Sequence, residues 1–150
     1  MFRFRLETLL RLRLAERDQR RAELAKALRA EELLRAEERA LEGQQIEAAE
    51  HSRRLKSPGT ANVDSLLEMH RYEVVLAAQR RQLKQQIVQV EAETERRRQA
   101  LVEADRQLRV LEKLRERQAA VWKRETERQE VKQFDELASV GFSRRQEAPA

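Results

Sequence analysis

Apolar residues recur along the second half of the chain on alternating three- and four-residue steps: Leu66, Met69, Leu76, Leu83, Ile87, Val90, Leu101, Ala104, Leu108 and Leu111. That interval keeps one stripe of a helix facing a partner helix and defines a heptad seam. Four seam positions, Glu73, Arg80, Thr94 and Arg97, are polar; they cost stability and restrict the acceptable registers. The first half is less regular. Leu6, Leu10, Leu14, Leu24 and Leu28 form one stripe, and Ala27, Leu34, Leu41, Ala48 and Leu55 form a neighbouring one that takes over further along. Such a drift is expected where the supercoil loosens.

One strong interruption separates the halves, Ser57-Pro58-Gly59-Thr60-Ala61-Asn62. Pro removes a backbone donor there and Gly frees the chain to reverse, while Asn62 or Asp64 can cap the helix that follows. The pattern predicts an all-α protein, a long antiparallel two-helix coiled-coil hairpin whose second helix overhangs the first. Its boundaries are helix one at about residues 3–56, a turn at 57–62 and helix two at about 63–138, in a single domain spanning 1–140. The polar segment 141–150, with Gly141 and Pro149, is expected to be a disordered tail.

Equal rise on both helices makes a hairpin folded near residue 60 bring together positions equidistant from the turn. Leu10 is then expected near Val110 and Leu111, Leu34 near Ile87, Arg17 near Glu103, Glu23 near Arg97, and Glu38 near Arg80 and Arg81. Each exposed ion pair contributes at most about 1 kcal/mol, so the value of such pairs lies in choosing register. Beyond about Gln118 helix two runs out of partner, yet Val121, Trp122, Val131, Phe134 and Leu137 continue at helical spacing. A bare stripe of that kind marks a docking surface, unless it frays or pairs with a second copy.

Composition sharpens this picture mainly by exclusion. With 39% charged and 4% aromatic residues in 150, there is little material for a globular core. The interleaved charge signs and recurring Leu favour a narrow buried seam over disorder. Cysteine is absent, which removes disulfides and thiolate metal sites and makes the cytoplasm the default compartment. Arg interrupts the Phe and Leu residues of the first fourteen positions, so no signal peptide and no membrane span is expected.

Catalytic chemistry finds no foothold in the pattern. Gly43, Gly59 and Gly141 are too scattered for a phosphate loop, and His51 and His70, near the turn on opposite arms, lack a third metal ligand. The reading is a non-enzymatic protein without cofactor or metal. A formal net charge of +5 and a pI near 10.1 allow attraction to acidic surfaces. In the Arg-rich stretch 3–21, however, Glu7, Glu16 and Asp18 break the single-sign face that phosphate binding concentrates. Glu91, Glu93, Glu95 and Glu103 do the same around Arg96, Arg97 and Arg98. A basic nucleic-acid-binding helical protein and a generic scaffold coiled coil remain as alternatives, as does contact of the Phe2-Arg3-Phe4-Arg5-Leu6 end with anionic lipid.

The opening Phe2-Arg3-Phe4-Arg5-Leu6-Glu7-Thr8-Leu9-Leu10-Arg11-Leu12-Arg13 resembles the amino-terminal pattern of the FliJ family. Leu111-Glu112-Lys113-Leu114, Glu116-Arg117 and then Glu125, Arg128, Lys132 and Asp135-Glu136 are similar to its carboxy-terminal helix. The resemblance implies a monomeric stalk of the flagellar type III protein export apparatus, related to injectisome stalk proteins. Such a stalk inserts both chain ends into the pore of the hexameric flagellar export ATPase, much as a γ subunit enters a rotary ring. It lies in the cytoplasm, peripheral to the inner face of the cell membrane. The implied ring contacts are Phe2, Phe4, Leu6, Leu9, Arg11, Arg13, Arg117, Val121, Trp122, Arg124, Arg128, Lys132 and Phe134. The turn-proximal half is implied to face the export-gate membrane protein through Ile46, Leu66, Tyr72 and Leu76, with export chaperones as further partners.

Overall fold

The computed structural model describes residues 1–59 and 62–148. It contains two helices, α1 (Glu7–Leu55) and α2 (Val63–Glu147), and no strand among the described residues. The chain is built from strong helix formers, and its mean hydropathy of −0.86 leaves only a stripe of each helix to bury.

The turn follows the expected chemistry. Arg53 and Arg54 complement the negative end of α1. The Lys56 amide donates to the Ser52 carbonyl (3.2 Å), and the Ser57 amide reaches back only to Arg54 (3.2 Å), which tightens the last turn. Gly59 then adopts φ 94°, a left-handed conformation that an L side chain would strain. Thr60 and Ala61, part of the predicted turn, lie outside the described residues. Asn62 caps α2: its Oδ1 accepts from the Asp64 amide at 3.1 Å and its carbonyl from the Leu66 amide at 3.0 Å.

Both outer helix ends differ from the sequence reading. α1 begins at Glu7 rather than near residue 3, and the first four residues are not helical. Phe2-Arg3-Phe4-Arg5 has a period of two; a helix would scatter its two rings across opposite faces, whereas a non-helical arm can turn both inward. Phe4 is accordingly buried and Phe2 half-buried, with Arg3 and Arg5 exposed. At the other end α2 continues to Glu147, through the segment expected to be disordered from Gly141 on. A single Gly costs a helix only about 1 kcal/mol, too little to stop it between Val140 and Phe142, and the stop comes just before the residue that precedes Pro149.

Packing divides the chain into two units, each drawing on both helices: Asp18–Glu103, and Met1–Arg17 together with the residues from Ala104 onward. The Asp18–Glu103 unit is a helical hairpin. Its α2 arm buries Leu76, Leu83, Ile87 and Thr94, while its α1 arm buries only Ala27 and Ala48. Small residues on one arm let the branched side chains of the other approach the backbone closely. The predicted seam is therefore narrower than its full heptad list, with Leu66, Met69, Val90 and Leu101 only half-buried. The second unit centres on Phe4, Leu10, Leu108 and Leu111, flanked by Phe2, Leu9 and Leu114. Leu10 meets Leu108 and Leu111 there, and Val110, expected beside it, faces solvent.

Candidate interaction surfaces

Polar bonds across the hairpin record its register. Arg97, a polar seam residue, donates from its guanidinium to the Glu23 backbone carbonyl at 2.7 Å and to the Glu93 carboxylate of its own helix at 2.8 Å. The expected neighbours Glu23 and Arg97 do meet, but through the main chain; the Glu23 carboxylate instead takes Arg20 at 3.2 Å. Nearer the turn, Arg80 donates to Gln45 at 2.8 Å and lies 3.9 Å from Glu42, while Arg35 pairs with Glu91.

Glu38, expected beside Arg80 and Arg81, pairs instead with Arg35 on its own helix at 3.6 Å. The acid that Arg80 reaches, Glu42, sits two residues closer to the loop than equal spacing predicts, and one helical turn closer than Glu38. Side chains lean toward the N-terminus of their own helix, so in an antiparallel pair the residues that touch lie about one position later on each strand of the pair. Long Arg side chains extend that displacement.

Two buried polar atoms of this unit, Thr94 Oγ1 and Arg80 Nε, find no hydrogen-bond partner among the described residues. The Arg97 hydrogen bond holds the Glu93 carboxyl below the ordinary carboxylate range; Arg96 adds to the effect and partial desolvation opposes it. This is an electrostatic brace on a helix surface rather than a reactive site. Among the described residues no three His, Cys, Asp or Glu side chains gather as a metal would require. His51 lines an open groove with Leu55, Met69 and Tyr72, and His70 lines no part of it.

The terminal candidates fall into four groups. Phe4 (8% exposed) is buried and Leu9 half-buried against the same cluster, so both serve packing. Phe2 sets its ring 6.2 Å from that of Trp122, tilted by 48°, in the favourable range for an aromatic pair. Sequence spacing places neither ring against the other, because the non-helical arm that carries Phe2 is invisible to a helical period. Arg13 is tied to Glu16 at 2.9 Å and Arg11 loosely to Glu7 at 3.7 Å. Leu6, Arg117, Val121, Arg124, Arg128, Lys132 and Phe134 are exposed.

Past Trp122 the character of α2 changes. No described residue from Lys123 to Ala148 is buried, and Val131, Phe134, Leu137, Val140 and Phe142 each expose half or more of their surface.

Near the turn, Ile46 and Tyr72 are exposed and Leu66 is half-buried. Leu76, at 2% exposed, is a correction to the proposed contact set: it fills the seam and presents no surface to a partner. No described helix is long and apolar enough to cross a membrane.

The sequence model of one family, described as flagellar FliJ protein, matches residues 1–147. No curated protein and no solved structure gives a significant match.

Proposed function

The chain belongs to the FliJ family, a non-enzymatic component of flagellar export, and from that membership we propose that it couples the export ATPase to the export gate as a stalk. In this reading the terminal segments enter the pore of the hexameric ATPase and the turn-proximal surface engages the membrane-embedded gate. Nucleotide chemistry is confined to the ring. The protein works in the cytoplasm and reaches the inner face of the membrane through its partners.

The observation that carries the proposal is the stretch of α2 from Lys123 onward, where five large apolar side chains stand bare beside Arg124, Arg128 and Lys132. A monomer gains nothing by holding such a face in water, and a bore lined with loops from several subunits supplies the apolar and acidic contacts it lacks. Near the turn, Ile46, Leu66 and Tyr72 offer apolar and aromatic surface for the gate. Coupling then requires each end to bind alternative states of its partner with different free energies, since equal affinity shifts no equilibrium.

The test is capture of the cognate ATPase by full-length chain and by chain ending at Thr126, a cut that keeps the Phe2–Trp122 pair. The truncated chain is expected to lose capture while the remaining residues stay helical by circular dichroism. Undiminished capture would sink the assignment of the terminal segment.

A further inference from the structure

The polar bonds that tie the arms of the Asp18–Glu103 hairpin differ in how firmly their two ends are held. Arg80 reaches the side chains of Gln45 and Glu42, and Arg35 reaches that of Glu91; both partners in each of these bonds are flexible and can follow a small slide. Arg97 reaches a main-chain oxygen instead, the Glu23 carbonyl at 2.7 Å, which is fixed within α1. Its guanidinium is also held from its own helix, by the Glu93 carboxylate at 2.8 Å, and that carboxylate is held in turn by Arg96 at 2.6 Å. Neither end of this bond can travel with a sliding helix.

A carbonyl in the middle of an α-helix already accepts from the amide four residues on, and the side chain of that later residue leans back over the carbonyl. At Glu23 the residue four on is Ala27, a bare methyl, 5% exposed. After a slide of one heptad in either direction, or of two toward the turn, Arg97 would face the carbonyls of Glu16, Ala30 or Glu37, and the residues four on are then Arg20, Leu34 and Leu41. Each of these is a long side chain that shields its carbonyl from a second donor. The next small residue of the stripe, Ala48, is three heptads away, a displacement of about 30 Å. Thr94, 4% exposed, lies at a matching distance from the turn to Ala27, so small residues on both arms let the backbones approach closely at this layer.

We infer that Arg97 is a positioning residue that fixes the register of the hairpin, selecting through its bond to the Glu23 carbonyl the one place on the facing stretch of α1 where Ala27 leaves that oxygen uncovered. The apolar seam residues Leu76, Leu83 and Ile87 cannot make that choice, because an apolar heptad pattern packs in a similar way after a slide of one repeat. The role belongs to the hairpin itself and holds whatever its partners are.

The chain has no cysteine, so Ala36→Cys and Val102→Cys, both exposed and at different distances from the turn, carry a pair of spin labels whose separation changes when one arm slides. Distances are measured by pulsed electron resonance in full-length labelled chain diluted with unlabelled chain, which removes distances between copies. The natural residue at position 97, Arg97→Leu and Arg97→Lys are compared, with circular dichroism and thermal midpoints alongside. The natural chain is expected to give one distance. Arg97→Leu extends the apolar seam, so an unchanged or higher midpoint is expected together with a second distance population, displaced by several ångströms or more and holding at least about a tenth of the molecules. Arg97→Lys keeps a cation able to donate to the carbonyl and is expected to keep the single distance. A single unshifted distance in Arg97→Leu overturns the inference and leaves the register to the turn. Loss of helicity in that variant overturns it too, since Arg97 would then supply stability rather than alignment. So does a second population in Arg97→Lys as large as that in Arg97→Leu, since donation to the carbonyl would then select nothing.

Discussion

In the unit around Phe4 the two helices meet through large apolar side chains, Leu10, Leu108 and Leu111, closed by the Phe2–Trp122 ring pair. In the Asp18–Glu103 hairpin the α1 arm buries only alanines, and the arms are tied by Arg97 to Glu23, Arg80 to Gln45 and Arg35 to Glu91. The first kind of contact removes apolar area from water, supplying free energy with little say over alignment. The second is partly exposed and adds little net stability, but each bond is directional and is lost if one helix slides by a turn. Both units thus bury apolar side chains, Leu76, Leu83 and Ile87 in the hairpin among them, and the hairpin adds an alignment device.

The most forceful way to break that comparison is Leu108→Ala, which empties the most buried side chain, at 1% exposure. A loss of about 2–5 kcal/mol is expected from the missing contacts and the cavity, read as a lower midpoint in urea unfolding. If the hairpin's polar bonds were the main source of stability, the change would be small.

A milder substitution sharpens the other side. Thr94→Val keeps shape but deletes the buried hydroxyl that has no partner among the described residues. A stabilisation of about 1 kcal/mol is expected, seen as a higher thermal midpoint. A loss instead would mean that the hydroxyl is satisfied and belongs with the aligning bonds.

The smallest effect belongs to Glu93. Its carboxyl is held below the ordinary range by Arg97 in the folded chain, so its contribution is present above the unfolded-state value and fades as pH falls through the lower folded value. Glu93→Gln is therefore expected to flatten the acid limb of a stability-against-pH curve slightly and to leave neutral-pH helicity unchanged. A steeper acid limb in the variant would contradict the assigned direction.

Much of this was readable from the chain itself because it depends on local preference and period. The Pro58-Gly59 reversal, the Asn62 cap, the two helices and the burial of Leu76, Leu83, Ile87, Ala104, Leu108 and Leu111 follow from turn chemistry and three-four spacing. The candidate surfaces were less legible. The family resemblance implies contacts at Leu76 and Phe4, while the spacing also sets Leu76 on the seam; one-dimensional spacing does not distinguish a side chain that docks from one that fills a seam. Arg80 was set beside the wrong acid because equal spacing from the turn ignores the lean of side chains along their helices.

The sequence by itself determined that the protein is helical, reverses once and lacks the residues for a compact core, since each of these is a sum over local terms. Only the tertiary structure decided which stripe of each helix is covered. It let the period-two arm at the start fold its rings inward, paired Phe2 with Trp122, gave Arg97 the Glu23 main-chain carbonyl rather than its carboxylate across the hairpin, and left the helix beyond Trp122 bare. Those outcomes depend on which surfaces compete for the same partner in space, and a competition between residues far apart in the chain leaves no mark on the period of either one.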